Sequence, residues 1–466
     1  MAPLLVRAPG PTDSTRRSTP RALLALFAAF SVAGCVGYEP APVDVSRVLH
    51  DLQAVRWEAH ENEGDGTSAR GGATPRELAA FAVAHNPALA SARARIGVSN
   101  ALLVEAGLLP DPQIGWDAMD ALAVEIDGES ATSVEYLAGL GLSIPLLRPG
   151  ERDAKKGVAE WHLQEALRRV TEAEWLLARD VYVASESVLE AQELVAQNLR
   201  LAKVAETTRD YFQRARDAGA ATAIQANLAV GELLAIRAER VHLDARLREA
   251  RHELNALLGL PPPAAIAMVA SAQHFDALPS DPAALAEAAV ERRPDLSRLL
   301  ALHRAAEEEV RLEVARQFPQ VSIGTGISIV PGFLSGFNRY AIATALARRA
   351  QLAREIVARV HEVRRDVHDS FASYQETRRE VEFLESEVLP NAEESLRLAG
   401  EAFDAGEVTL LEILTLQRSL VDARTRHTEA RAERARRRWR LLAASGTLLP
   451  GTGSVPLPSD RPTESR

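Results

Sequence analysis

The chain has 466 residues, a formal net charge of −10 and a single cysteine, Cys35. The acidic balance makes nucleic acid a poor partner, and one cysteine excludes an intramolecular disulfide. Aromatic residues make up only 5% of the chain, while Ala, Leu, Glu and Arg dominate, as is typical of long helices.

Residues 1–34 have the pattern of a secretory signal peptide. Basic residues precede an apolar run at 22–32, which is too short to span a bilayer as a helix. Small residues follow, and the stretch Val-Ala-Gly-Cys at 32–35 resembles a bacterial lipobox. We therefore expect Cys35 to be the lipidated first residue of the mature protein. An ordinary signal peptide with an incidental cysteine is the alternative.

Residues 35–74 are rich in Pro, Gly, Asp and Glu and show no periodicity, so we predict an irregular, lipid-anchored tether. Helical periodicity starts near Pro75 and continues to about Leu108, where two prolines end it. This helix opens a first repeat unit at 75–262.

A period of two, typical of β-strands, replaces the helical period at 113–146. Apolar residues alternate with small or polar ones over 134–144, and a similar pattern begins at Ile114. Asp127-Gly128 between them is a hairpin-type turn signal. The segment therefore predicts a two-stranded β-hairpin.

The helical period returns at Arg152, and neither Pro nor Gly interrupts it from Val158 to Ala218. A continuous helix over 152–216 would be about 97 Å long at a rise of 1.5 Å per residue. No single globular core needs that length, so the helix must pack beside similar ones. A turn at Asp217-Ala218-Gly219 then leads to a returning helix over about 222–258.

The second half of the chain repeats this order. Residues 78–113 align without a gap with 285–320, at the offset of 207 that separates Pro87 from Pro294. A duplicated unit of this length indicates a repeat architecture. It predicts a second repeat at 282–445, and a disordered tail at 446–466.

The offset falls to 187 further along, where RDAGAAT at 216–222 aligns with FDAGEVT at 403–409. The missing 20 residues lie inside the second hairpin, 320–338. We therefore predict a shortened hairpin, with one strand near 321–330 and a short or irregular return. A long helix from about Tyr340 to Phe403 follows, with a kink at Pro390.

Short motifs mark both repeats: Asn86–Leu89 and Arg293–Leu296 lie near the start of each, and Leu109–Pro112 and Phe318–Gln320 precede each strand. Leu257–Pro261 follows the first repeat, and the stretch from Ala405–Thr409 through Leu414–Leu420 lies in the second. Together they make 75–445 resemble the TolC-like outer-membrane efflux proteins. The resemblance implies a mainly α fold with a small β part. Two tandem repeats of helix, β-hairpin, long helix, turn and helix would form long antiparallel coiled-coil helices, the protomer of an α-barrel and a β-barrel.

The same resemblance implies a function. Three protomers would form a passive conduit, the outer-membrane channel of a tripartite efflux system in a Gram-negative-type bacterium, with a long periplasmic part. Its partners would be a periplasmic adaptor, an inner-membrane pump and outer-membrane lipid, and its cargo small molecules or ions. The alternative is a periplasmic coiled-coil lipoprotein with a scaffolding role and no complete pore.

The resemblance also assigns candidate sites. It places Gly219, Thr222, Gly406 and Thr409 at a periplasmic tip that docks the adaptor; the alternative is that they only end and cap helices. In a trimer, carboxylates near this tip would form rings that favour cations, unless they merely solvate a helix face. They are Asp217, Glu401, Asp404, Glu407 and Glu412.

Trp116 and Tyr136 are candidates for aromatic residues at the membrane interface, with burial between protomers as the alternative. His361 and His368 are about 10 Å apart along a helix, which favours a solvated face over a metal site. The arginine-rich run 434–440 is predicted on an exposed helix face. No catalytic grouping or phosphate loop is present, so we predict neither enzymatic activity nor a cofactor or metal.

Overall fold

The computed structural model describes residues 38–57, 72–119, 137–269, 281–324, 327–330 and 336–448. The side chains of 114–119, 137–141 and 404 lie outside this description. The chain divides into two compact units, Met1–Asp51 and Leu52–Arg466. The predicted signal peptide, Cys35 and Tyr136 lie outside the described residues, so the predictions made for them stay predictions.

Helix α1 spans Val45–Ala54, within the segment predicted as an irregular tether. The side chain of Asp44 caps it by accepting hydrogen bonds from the N–H groups of Ser46 and Arg47, at 2.9 and 3.2 Å. The prediction of an irregular segment is wrong for these ten residues. Their apolar residues have helical spacing, but ten residues are too few for this period to be recognised in a segment rich in prolines and glycines.

Each repeat begins with two helices where the sequence predicted one. Helices α2 (Pro75–His85) and α3 (Pro87–Ala106) are separated at Asn86, and α6 (Pro282–Arg292) and α7 (Pro294–Ala315) are separated at Arg293. A proline follows each break and forces the residue before it into extended backbone. The helical period continues across both breaks, which is why the sequence alone suggests single helices.

Four strands form one antiparallel sheet in the order β1-β2-β3-β4. The first hairpin consists of β1 (Gln113–Met119) and β2 (Leu137–Leu146), and the second of β3 (Gln320–Gly324) and β4 (Ile327–Val330). The two hairpins join where Ile144 pairs with Ile323. The second hairpin is thus shortened, as predicted.

The prediction of one strand near 321–330 is nevertheless wrong, because β3 and β4 pair with each other from Gln320↔Val330 to Ile323↔Ile327. In this register the two residues of each pair both have even numbers or both have odd numbers. Apolar residues therefore keep the same alternation on both sides of the reversal. The sequence pattern cannot reveal a turn that leaves its period unbroken.

Helix α4 spans Glu151–Asp217 without interruption, and its 67 residues confirm the predicted long helix. Helix α5 (Ala223–Leu258) returns along it and ends at Gly259, which has a φ of 72°. In the second repeat, α8 (Arg339–Phe383) passes into a π-helical turn at Leu384–Val388. Helix α9 (Leu389–Asp404) and the return helix α10 (Leu410–Ala444) follow.

The irregularity predicted at Pro390 takes the form of this π turn, which ends with the N–H of Leu389 bonded to the carbonyl of Leu384. A proline has no N–H, and its ring displaces the carbonyl four residues earlier, so the helical ladder cannot continue unchanged.

The main hydrophobic core lies between α2, α4, α5 and the C-terminal part of α10. Leu78, Val181, Leu254 and Leu258 are buried within it. Leu448 is also buried in this core, so the predicted disordered tail is wrong for residues 446–448. Residues 449–466 lie outside the described residues. Among the residues described, no helix is both long and apolar enough to cross a membrane.

Candidate functional site: the paired helix turns

The turn after α4 is closed by backbone hydrogen bonds. The N–H of Ala220 bonds to the carbonyl of Ala215 at 2.7 Å, and Gly219 between them has a φ of 77°. This left-handed conformation favours glycine, and it ends the helix by reversing the chain. A Cβ added at Gly219 would meet nothing within 4 Å, so the backbone angle and not space selects glycine here.

The turn after α9 has the same geometry. The N–H of Glu407 bonds to the carbonyl of Ala402 at 2.8 Å, and Gly406 has a φ of 81°. Again no atom lies within 4 Å of an added Cβ. The structure therefore brings the two predicted tip motifs to equivalent places in the two repeats.

The hydroxyls of Thr222 and Thr409 cap the helices that follow. Thr222 Oγ1 accepts from the N–H of Gln225 at 3.2 Å, and Thr409 Oγ1 accepts from the N–H of Glu412 at 3.4 Å. The side chains of Gln225 and Glu412 bond back to the cap N–H groups at 2.8 and 2.6 Å, which completes two capping boxes. Helix capping by these threonines is confirmed; a contact with an adaptor stays a prediction.

The two turns contact each other through a small apolar cluster. Phe212 of α4, Ala229 of α5, and Leu410 and Leu414 of α10 are buried together, and Phe403 packs against them. Phe212 and Leu410 are 6% and 4% exposed, although most side chains of the turns are in solvent. The cluster therefore makes one surface out of two turns that are 187 residues apart in sequence.

Further from the turns, an ion pair joins the two return helices, α5 and α10. Arg418 Nε of α10 donates to Glu232 Oε2 of α5 at 2.9 Å, and the carboxylate is 10% exposed. Both residues lie about 14 Å along their helices from the capping threonines. Because α5 and α10 both start at the turns and run the same way, nearly equivalent positions of the repeats meet. The sequence signal that could have found this pair is an acidic and a basic residue separated by nearly the repeat offset of 187.

The candidate gate carboxylates are exposed where the structure describes them. Asp217 accepts from Arg216 at 2.6 Å, and Glu401 accepts from Arg397. Glu407 is exposed as well, and the side chain of Asp404 is outside the described residues. Hydrogen bonds from the backbone and hydroxyl of Thr409 lower the pKa of Glu412, which is therefore tied to its cap. The role of these groups as rings around a lumen stays a prediction.

Other predicted residues lie apart from this site. The backbone of Trp116 pairs with that of Leu140 between β1 and β2, and its side chain is outside the description. His361 and His368 are exposed, as expected for a solvated face. No group of His, Cys, Asp and Glu in the described part of the chain could hold a metal ion.

The arginine-rich run 434–440 is mostly half-buried, so its prediction as an exposed face is wrong. Arg436 binds Glu190 of α4 and donates to Glu433 at 2.8 Å, and Arg437 also binds Glu433. The side chain of Glu190 is 2% exposed, so Arg436 supplies a countercharge that this buried carboxylate needs. Sequence reasoning missed this network because its partners are far apart in the chain.

A model of the family described as outer membrane efflux protein matches residues 78–260 and 324–447. The chain is 25% identical over 379 residues to the cobalt-zinc-cadmium resistance protein CzcC of Cupriavidus metallidurans, covering 77% of this chain and 86% of the relative. It is also 25% identical over 463 residues to the pyoverdine export outer membrane protein OpmQ of Pseudomonas aeruginosa, covering 91% and 96%.

Solved structures share the fold. The outer-membrane channel OprN superposes with a TM-score of 0.67 at 19% identity, covering 80% of this chain and 90% of that one. CusC gives a TM-score of 0.67 at 18% identity, covering 80% and 92%. The TolC-like fold predicted from the sequence is thus confirmed. Because the family model matches well over half of its residues, the chain belongs to the outer membrane efflux protein family.

Proposed function

We propose that the chain is the outer-membrane channel component of a tripartite efflux system, a passive conduit formed by three copies. The observation that carries this proposal is the distance between two features of one protomer. The four-stranded sheet lies at the N-terminal end of α4, where β2 pairs with β3, and the paired turns lie at its C-terminal end. The 67 residues of α4 separate them by about 100 Å. A duct between two compartments needs this separation.

The paired turns are the proposed docking site of a periplasmic adaptor, with Gly219, Thr222, Gly406 and Thr409 at its centre. The apolar cluster under both turns supports this, because it gives a partner one fixed surface to bind. The pump that the adaptor joins would supply the energy. Lipidation of Cys35 would add an anchor in the outer membrane.

The proposed cargo is small molecules or ions. One relative is named for resistance to cobalt, zinc and cadmium, and another for pyoverdine export. These cargoes differ in size and charge, so the likeness supports efflux in general and no single substrate. A passive duct that leaves selection to its pump is consistent with both.

Planar-bilayer recording of the purified full chain tests the proposal. We expect discrete conductance steps, together with a trimer mass by size exclusion with light scattering. Mass spectrometry should find acyl chains on Cys35, and the variant Cys35→Ala should lose them while keeping the trimer. A protein that stays monomeric and never conducts would contradict the channel.

The alternative is a coiled-coil scaffold without a complete pore. The second hairpin favours it, because β3 and β4 have 5 and 4 residues whereas strands that span a bilayer need about 9–11. The same recordings decide between the two functions. Absent conductance with intact folding would support the scaffold.

A further inference from the structure

The long helices of the two repeats differ at one place. Helix α4 is continuous over 67 residues, but its counterpart is divided into α8, the π turn and α9. At the offset of 187, Pro390 corresponds to Lys203 in the uninterrupted part of α4. The interruption therefore belongs to the second repeat alone, and the general length of the helices does not require it.

The π turn is a natural place for bending. It lacks the regular bonds between residues four apart, and Pro390 two residues after it offers no N–H to restore them. Such turns occur often at functional sites. On its inner side, Val381 and Leu384 pack against Ala430 of α10. Beyond it, Leu398 of α9 is half exposed, and Ala399 is the only buried residue among the described side chains of α9.

Two polar contacts hold this region to α10. Glu385 in the π turn lies 2.9 Å from Nε2 of His427, and Glu393 in α9 accepts from Arg424 at 2.8 Å. The His427 side chain is 18% exposed. The hydrogen bond and charge of His427 hold the pKa of Glu385 below its ordinary value. Histidine is in general the side chain whose charge responds to pH near neutrality, whereas arginine stays charged.

We propose that the π turn is a hinge for α9 and that the His427–Glu385 contact is its pH-sensitive latch. Protonated His427 forms an ion pair with Glu385 and holds the turn against α10. Neutral His427 keeps at most a weaker hydrogen bond, so α9 moves more freely. Any effect of this hinge on conduction would rest on the proposed channel function, but the hinge itself does not.

Other charged and titratable groups also lie near the imidazole. Glu385 faces it from the π turn, and the cleft beside it is lined by Glu186, Glu190, Glu193, Tyr374, Arg431, Arg434, Arg438 and Arg76. The arginines remain charged, and Glu193 accepts hydrogen bonds from Gln197 and Arg200. Burial raises the pKa of Glu186, so this carboxylate needs a control of its own.

Distance measurements by double electron–electron resonance test the latch. Spin labels are placed at Leu234→Cys in α5 and Leu398→Cys in α9, both exposed, in the Cys35→Ala chain diluted with unlabelled chains. We expect the ratio of released to latched conformations to rise about fivefold between pH values near 5.5 and 8, as for a partly exposed ion pair. Labels at 234 and 357, which exclude α9, should report no change.

Variants separate the latch from other titrations. His427→Lys keeps a positive charge at both pH values and should stay latched, while Glu385→Gln should be released at both. Glu186→Gln should keep the response to pH. A wild-type distribution independent of pH overturns the proposal, as does a response that survives in His427→Lys or disappears in Glu186→Gln. A response to pH without any conductance would leave the hinge standing and count against the channel.

Discussion

Trp439 of α10 lies flat against Tyr182 of α4, with their ring centroids 4.0 Å apart and their planes inclined by 12°. The indole N–H of Trp439 also donates to Glu186 of α4 at 3.1 Å. Trp439 is 6% exposed and packs in the main hydrophobic core. This one side chain therefore joins the last helix of the second repeat to the long helix of the first.

Replacing Trp439 with Ala should destabilise the fold by about 3–5 kcal/mol, because it removes a buried aromatic side chain and leaves a cavity. Thermal unfolding followed by circular dichroism measures the loss. Trp439→Phe keeps a ring against Tyr182 but loses the hydrogen bond, so it should cost less. Equal losses in the two variants would show that the stacking contributes little.

Glu186→Gln should stabilise the protein at high pH and not at low pH. Burial raises the pKa of Glu186 against the opposing effects of Trp439 and Arg436. The folded state therefore disfavours the ionised form, and the penalty appears as pH rises from the unfolded pKa through the folded one. A glutamine has no such penalty and can still accept from the indole. Unfolding curves at pH about 4 and 8 measure the difference, with the exposed Glu193→Gln as control.

Asp295→Asn should destabilise the second repeat by about 3–5 kcal/mol, because it removes the nearer countercharge of the buried Arg293. Asp295 is 2% exposed and accepts from Arg293 at 2.7 Å and from Arg359 at 3.0 Å. Chemical denaturation at neutral pH measures the loss. Asp366→Asn, which removes a more exposed partner of Arg293, should cost less.

The same carboxylate should also give the wild type a steeper loss of stability in acid. Burial alone would raise the pKa of Asp295, but the hydrogen bonds and charges of Arg293 and Arg359 outweigh it and lower the pKa. Stability from this group is complete above the unfolded pKa of about 4 and is lost as pH falls through the lower folded value. Asp295→Asn should flatten the dependence in this window. An unchanged slope would contradict the assignment.

Much of the fold follows from patterns that the sequence carries locally. The end of α4 near Gly219 and the cap at Thr222 can be predicted, because glycine commonly ends a helix and threonine commonly caps the next one. The division at Asn86 is hidden, since the helical period passes through it. The reversal between β3 and β4 is hidden for the same reason, because the alternation of apolar residues continues unbroken through it.

The contacts between helices that are distant in the chain are the part that the sequence predicts least. Glu232 meets Arg418, and Glu385 meets His427, only because helices from distant parts of the chain lie side by side. Charged residues are common on every helix of this protein, so no single one stands out as a partner. The repeat offset predicts which helices are equivalent, but only packing determines which faces meet.

Thr222→Ala and Thr409→Ala should each destabilise the fold by about 1 kcal/mol, because each removes a helix cap. The matching Ser variants keep a hydroxyl that can cap, and should be close to wild type. Thermal unfolding measures these effects in the isolated protein. Efflux assays on the same variants then separate two roles. If Thr→Ser preserves stability but abolishes efflux, the threonine methyl group contacts a partner; if efflux simply follows stability, the threonines act as caps alone.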